Sequence, residues 1–198
     1  RGGELFTPAS NMKLLTTAAA VERLGPNFAF ITTFAMRGDD LLVFASGDGG
    51  LGDPRITAKH DRPIDAAFVA LAERLKKLGV GRIDGDLIVD DTVFDRQFFH
   101  PNWPADQRDR WYCAEVAGFN FNDNCIDVRL APTKAGKVAV ELTPRTDYVS
   151  IINKAKVDKR KHLVWFRRIE LSNRFVAGGK VKQRMWSPES LPIHNPPA

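Results

Sequence analysis

Cysteine, tyrosine, methionine and histidine are all scarce: the 198-residue chain holds two, two, three and four of them. With only Cys113 and Cys125, the chain has no disulfide-dense scaffold and no thiolate metal site of three or four sulfurs. His60, His100, His162 and His194 show no ligand spacing, so no metal is implied. Long apolar runs are lacking too. None approaches the roughly 18 residues that span a bilayer, which argues against a transmembrane helix. The chain opens Arg1-Gly2-Gly3-Glu4 with no charged-then-apolar leader, so any export signal is expected to have been removed or left out.

A hydrophobic fraction of 43% and an aromatic fraction of 10% are enough for a core, and the length suggests one or two domains. Charge is distributed unevenly. Residues 153–184 carry eleven Lys/Arg against Asp158 and Glu170, a net +9, whereas the whole chain is +5, leaving −4 elsewhere. Such a segment is either a solvated basic face or a surface for anionic polymers or acidic phospholipid head groups. Nucleic acid is not expected, because Trp165 and Phe166 alternate as packed strand residues do rather than forming a stacking platform.

Periodicity and punctuation give the coarse organisation. A helix is predicted over 10–24, ended by Gly25-Pro26, and strands over 28–36 and 40–46 around the Gly38-Asp39-Asp40 turn. Ile64, Phe68, Leu71, Leu75 and Leu78 repeat at helical spacing, with Gly79 as the cap. Short strands are predicted at 87–89, 125–130, 137–143, 148–152, 162–170 and 174–178. Gly47-Asp48-Gly49-Gly50-Leu51-Gly52 matches G-x-G-x-x-G, but Asp53-Pro54 and Pro63 are expected to interrupt the helix a dinucleotide would need. The scattered aspartates lack EF-hand spacing and are read as turn and cap residues.

The chemistry concentrates at Ser10 and Lys13, three residues apart at the start of an alanine-rich helix. Residues at i and i+3 share a helix face, so the Lys13 amine can reach the Ser10 hydroxyl and take its proton. The unpaired amides and dipole of a first helical turn suit an oxyanion.

The run Pro8-Ala9-Ser10-Asn11-Met12-Lys13-Leu14-Leu15-Thr16-Thr17-Ala18-Ala19-Ala20 resembles the S-x-x-K start of peptidase family S13, low-molecular-mass penicillin-binding proteins. Gly52-Asp53-Pro54, Ile83-Asp84-Gly85-Asp86 with Asp90, Pro101-Asn102-Trp103-Pro104, Tyr112 to Ala114 and Asn120-Phe121-Asn122-Asp123-Asn124 extend the likeness in order along the chain. The resemblance implies an α/β (α+β) fold. A piece of the catalytic domain at 1–31 would precede an inserted accessory domain at 32–130 and 171–198, itself enclosing an inner β-rich insertion at 131–170.

The implied activity is that of a serine-type D-Ala-D-Ala carboxypeptidase or endopeptidase acting on peptidoglycan stem peptides through an acyl-serine. Ser10 would be the nucleophile and Lys13 the base, β-lactams would acylate Ser10, and no cofactor would be required. The location implied is periplasmic or extracytoplasmic. S13 enzymes carry a W-P-x-x-D segment with an aromatic five residues later. Here Trp103 and Pro104 match, Gln107 stands at the carboxylate position with Asp106 one residue earlier, and Tyr112 is the aromatic. These three are the implied substrate-binding residues of the accessory domain. In an oxidising compartment Cys113 and Cys125 can pair or stay buried thiols.

Two motifs of such enzymes are not found. No serine or tyrosine begins an S-x-N or Y-x-N, and the nearest approach to K-[ST]-G is Lys134-Ala135-Gly136, without the hydroxyl. These 198 residues are therefore expected to be inactive alone, as the front part of a longer enzyme. The competing reading is a non-catalytic wall-binding or assembly module that retains the S-x-x-K helix. Preference between carboxypeptidase and endopeptidase reactions, the diamino acid favoured and the oligomeric state are not legible.

Overall fold

The computed structural model describes residues 3–5, 7–170 and 172–196. The chain divides into two compact units, Arg1–Ile31 and Thr32–Ala198. The accessory boundary expected at 171 falls on a residue outside the described set.

In the first unit a short 3-10 turn, Ala9–Asn11, runs directly into helix α1, Met12–Leu24. Ala18, Ala19 and Ala20 favour the helix, because alanine gives up no side-chain entropy there. Gly25 ends it at φ 83, and its amide donates to the Val21 carbonyl. No residue of α1 is buried.

The second unit opens with a three-stranded sheet, β1 (Thr33–Arg37), β2 (Asp40–Phe44) and β3 (Leu87–Asp90). β1 and β2 form an antiparallel hairpin, and β3 lies parallel to β2. The parallel partner requires a crossover. It carries α2 (Pro54–Lys59) and α3 (Ala66–Lys77). The strand expected from residue 28 begins only at Thr33. α3 follows its predicted apolar repeat, with Gly79 at φ 87 just past its end. Phe68 on α3 packs against Phe119 and Phe121.

The remaining strands are β4 (Cys125–Pro132), β5 (Val138–Thr143), β6 (Ser150–Asn153), β7 (Lys156–Val157), β8 (Leu163–Arg168), β9 (Arg174–Val181) and β10 (Glu189–Pro192). β10, β4 and β5 make one antiparallel sheet. β9 is the centre of another. It takes β8 antiparallel on one side, and on the other β6 and β7 in parallel and in one continuous register, Ser150 opposite Arg174 and Lys156 opposite Lys180. β6 and β7 are thus one edge strand interrupted at Lys154 and Ala155.

Period-two alternation sends Ile126, Val128 and Leu130 of β4 and Phe175, Ala177 and Val181 of β9 into the core, with Val149 and Leu191. Full burial of each larger side chain is worth about 1.5–3 kcal/mol. β4 runs through positions 130 and 131, so the sheet it forms with β5 and β10 holds residues from both sides of that point, whereas β6 to β9 all follow it. The mixed helix and strand architecture agrees with the α/β (α+β) expectation.

Candidate functional site

Ser10 sits in the middle of the Ala9–Asn11 turn, and Lys13 is the second residue of α1. Ala9 holds a positive φ of 44°, so the chain bends sharply just before the serine. Both Ser10 and Lys13 are exposed within the described chain. Among the described residues no hydrogen bond joins the two side chains; the side-chain bond recorded for this helix runs from Thr16 Oγ1 to the Met12 carbonyl at 3.1 Å. The 3-10 turn tightens the spacing towards three residues per turn, which brings i and i+3 onto one line.

In the second unit, the glycine-rich stretch before α2 leads to a helix after all. Pro54 does not interrupt it. Proline is tolerated at the first helical position, where its missing N–H costs nothing, and Asp53 caps the end. The Asp53 carboxylate accepts from the Arg55 amide at 2.7 Å and the Ile56 amide at 3.1 Å. Those are the amides a pyrophosphate would need, so the structure gives its own reason against a dinucleotide at this turn.

Arg55 extends the cap into a bridge. Its Nη2 lies 2.9 Å from Asp53 Oδ2 and 3.0 Å from Asp123 Oδ2, with its guanidinium 5.6 Å from the Trp111 ring centre. Burial works to raise the Asp53 carboxyl, but the hydrogen bonds from Arg55 and from the two amides outweigh it and hold it below the usual range. Asp123 goes the other way. Burial first, then the neighbouring Asp53 charge, push it up despite Arg55.

Asp123 is presented by a left-handed turn, Asn122–Asn124, with φ of 51°, 56° and 52°. Asn and Asp are the non-glycine residues that visit this region most readily. Buried hydrogen bonds hold the turn: Asn122 Nδ2 donates to the Cys125 carbonyl at 2.8 Å, and Asn124 Nδ2 to the Glu115 carbonyl at 2.8 Å and Asn120 Oδ1 at 2.6 Å. A groove of about 460 Å³ lies beside it, walled by Phe94, Trp103, Trp111 and Tyr112, with Arg55 and Asp123 among its polar groups.

Tyr112 therefore shares a groove with Asp123. Asp106 does not; it lines a separate one with Asp109, Arg110 and Trp165. Gln107 is half-buried; its backbone N–H donates to the Pro104 carbonyl and its backbone carbonyl accepts from the Arg110 amide. The sequence reading missed Arg55 and Asp123 as partners, although the Asn120–Asn124 run it singled out contained one of them.

A Cys113–Cys125 disulfide is absent: both are buried free thiols. Cys113 closes the 3-10 turn Trp111–Cys113, while Cys125 Sγ donates to the Asp123 carbonyl at 3.4 Å. Burial, with the charges of Asp123 and Asp127, pushes the Cys125 thiol up to about 12.

Glu115 lies behind the groove and is 2% exposed. It meets His194 Nδ1 at 2.6 Å and accepts from the Asn195 amide at 2.9 Å. Arg168 is also buried, stacked on Phe175 at 5.2 Å, and its Nε is 3.1 Å from Asp109 Oδ1, an ion-pair contact rather than an aligned hydrogen bond. Burial lowers the Arg168 pKa against the pull of Asp109 and Glu115. Among the described residues no group of three or more His, Cys, Asp or Glu could hold a metal ion, and no helix is long and apolar enough to cross a membrane.

Comparison with known proteins supplies the wider frame. The chain is 33% identical over 169 residues to a D-alanyl-D-alanine carboxypeptidase of Actinomadura sp., an alignment covering 78% of this chain and 29% of that protein. It is 28% identical over 138 residues to the D-alanyl-D-alanine carboxypeptidase DacB of Haemophilus influenzae, covering 67% and 27%. The chain thus spans less than a third of the length of these curated relatives. In fold it is similar to the crystal structure of penicillin binding protein 4 (dacB) from H. influenzae, with a TM-score of 0.67 at 23% identity over 96% of this chain and 42% of that one. A model of the D-Ala-D-Ala carboxypeptidase 3 (S13) family matches residues 1–188. With its S-x-x-K turn, its mixed fold and a match along nearly its whole length, the chain belongs to the D-Ala-D-Ala carboxypeptidase 3 (S13) family.

Proposed function

We propose that this chain supplies the nucleophile of a serine-type D-Ala-D-Ala peptidase that acts on peptidoglycan stem peptides outside the cytoplasm. The observation that carries the reading is the position of Ser10 in a tight turn that continues without a break into α1, with Lys13 one turn on. In this account the Lys13 amine takes the Ser10 proton as Oγ attacks the penultimate D-Ala carbonyl. The Ser10 N–H donates to the oxyanion, a contact worth roughly 3–4 kcal/mol in comparable sites. The terminal D-Ala departs with the transferred proton, and water hydrolyses the acyl-serine.

The uncovered apolar residues of α1 support the same reading. Leu14, Leu15, Val21 and Leu24 are all exposed, as suits a helix that packs inside a larger catalytic domain. No S-x-N and no K-[ST]-G occurs in the 198 residues. Acylation is therefore expected only in a polypeptide that also provides those elements. The test compares acylation rates of such a polypeptide with Lys13 intact and with Lys13→Ala. A loss of roughly 10² to 10⁴ fits a positioned general base; an unchanged rate removes Lys13 from that role.

The lack of the two motifs also favours a second reading, a non-catalytic wall-binding module that keeps the helix. Under that reading Ser10 stays unacylated in every length of polypeptide.

A further inference from the structure

The sheet centred on β9 has a second face that the core does not use. Because alternate residues face opposite sides, the outward positions follow from the inward ones, Ile151 on β6, Val164 and Phe166 on β8, and Phe175, Ala177 and Val181 on β9. They are Ser150, Ile152, Lys154 and Lys156 on the first edge, Arg174, Val176, Gly178 and Lys180 in the centre, and Leu163, Trp165 and Arg167 on β8. The registers set these in rows: Ile152, Val176 and Arg167; then Gly178 and Trp165; then Lys156, Lys180 and Leu163.

Trp165 lies directly on Gly178, where any Cβ would collide with its ring. The indole is nevertheless 46% exposed, and Leu163 is 71% exposed. Five cations surround these groups: Lys154, Lys156, Arg167, Arg174 and Lys180. Of the nearest carboxylates, two are paired. Asp158 is paired with Lys180 at 3.1 Å. Asp109 is held by Arg168, and with Asp106 and Glu189 it lines a groove along the free edge of β8 that Trp165 and Arg167 also border.

We infer that this face docks on an anionic phospholipid bilayer. Basic side chains near such a surface are attracted to its head groups, and an exposed indole and aliphatic groups gain by entering the interface. The apolar half of the pattern selects lipid over a soluble anionic polymer. Leu163 and Ile152 offer nothing to a sugar hydroxyl or a phosphate, and the Ser150 hydroxyl and the Trp165 indole N–H are the neutral hydrogen-bonding groups among the outward side chains. Away from the groove at the β8 edge, the face is an open sheet. The reading does not depend on whether Ser10 is acylable.

Sedimentation of the longest native polypeptide containing this chain with vesicles tests it. Binding is expected to vesicles of phosphatidylglycerol in phosphatidylcholine, to be absent from phosphatidylcholine alone, and to weaken as salt rises. Lys156→Ala and Arg174→Ala should each weaken partitioning about five-fold. Leu163→Ser and Trp165→Ala should weaken it too, while leaving binding to soluble polyphosphate unchanged; Leu163→Ser, at an exposed edge position, guards against a misfolded tryptophan variant. Three results overturn the inference: no binding to the anionic vesicles, equal binding to the neutral ones, or vesicle binding indifferent to both apolar substitutions. The last would reassign the face to a soluble polyanion.

Discussion

Glu115 and His194, 79 residues apart in the chain, meet at 2.6 Å with the carboxylate buried and the imidazole half-exposed. The second carboxylate oxygen takes the Asn195 amide, and Tyr148 Oη donates to the carbonyls of His194 and Asn195. The segment after β10 is thereby tied to the loop that carries Tyr112 and Cys113.

That tie has a measurable cost of removal. Glu115→Ala leaves His194 and the Asn195 amide without their acceptor and should cost about 1–3 kcal/mol, as for donors left unsatisfied. Glu115→Gln, which retains the shape and one acceptor, should cost roughly half as much. Urea unfolding reads both as a lower midpoint at unchanged slope.

Arg55 separates two carboxylates that otherwise face each other. Arg55→Ala should destabilise the protein at neutral pH by about 1 kcal/mol, a modest figure because the guanidinium is largely exposed. The sign with pH follows from Asp53. Its folded pKa lies below the ordinary carboxyl value of 3.8, so its contribution is present above 3.8 and is lost as pH falls through the lower folded value. The difference between wild type and Arg55→Ala should therefore shrink in acid, which thermal unfolding at neutral and acid pH would measure.

Cys125 gives the opposite limb. Its thiol ionises near 9.0 when unfolded and about 12 when folded. Between those values the folded state holds the extra proton, so stability falls as pH rises, by at most about 1.4 kcal/mol per unit. A Cys125→Ser chain should lose that slope. A thiol reagent at mildly alkaline pH should modify Cys125 only on unfolding, which mass mapping of the labelled peptides would check.

Gly179 is required twice over, by its φ of 105° and by the Leu163 carbonyl against it. Gly179→Ala should destabilise the β8–β9 pairing by about 2 kcal/mol or more through strain and displaced backbone. Gly136→Ala, at φ 72° in an open turn, bears the strain alone and should cost less.

Local patterns were readable and distant ones were not. The S-x-x-K turn, α3 and the alternation in β4 and β9 are each set by residues within a few positions of one another, so spacing alone reveals them. Asp53-Pro54 carries a local signal with two readings: proline suggests a helix breaker, whereas an aspartate cap followed by proline is a helix start, which is what forms. The Arg55–Asp123 and Glu115–His194 pairs join residues 68 and 79 positions apart, which no periodicity encodes. Tyr112 and Asp106 part company for the same reason, since the turns at 105–107 and 111–113 aim them into different grooves.

The central claim is that Ser10 is an acylable nucleophile. The direct measurement treats the longest native polypeptide containing this chain with a fluorescent penicillin, digests it and locates the adduct by peptide mass. The account predicts a covalent adduct on Ser10, abolished by Ser10→Ala in a protein that still folds. A polypeptide that supplies S-x-N and K-[ST]-G yet stays unlabelled, or is labelled elsewhere, would contradict it.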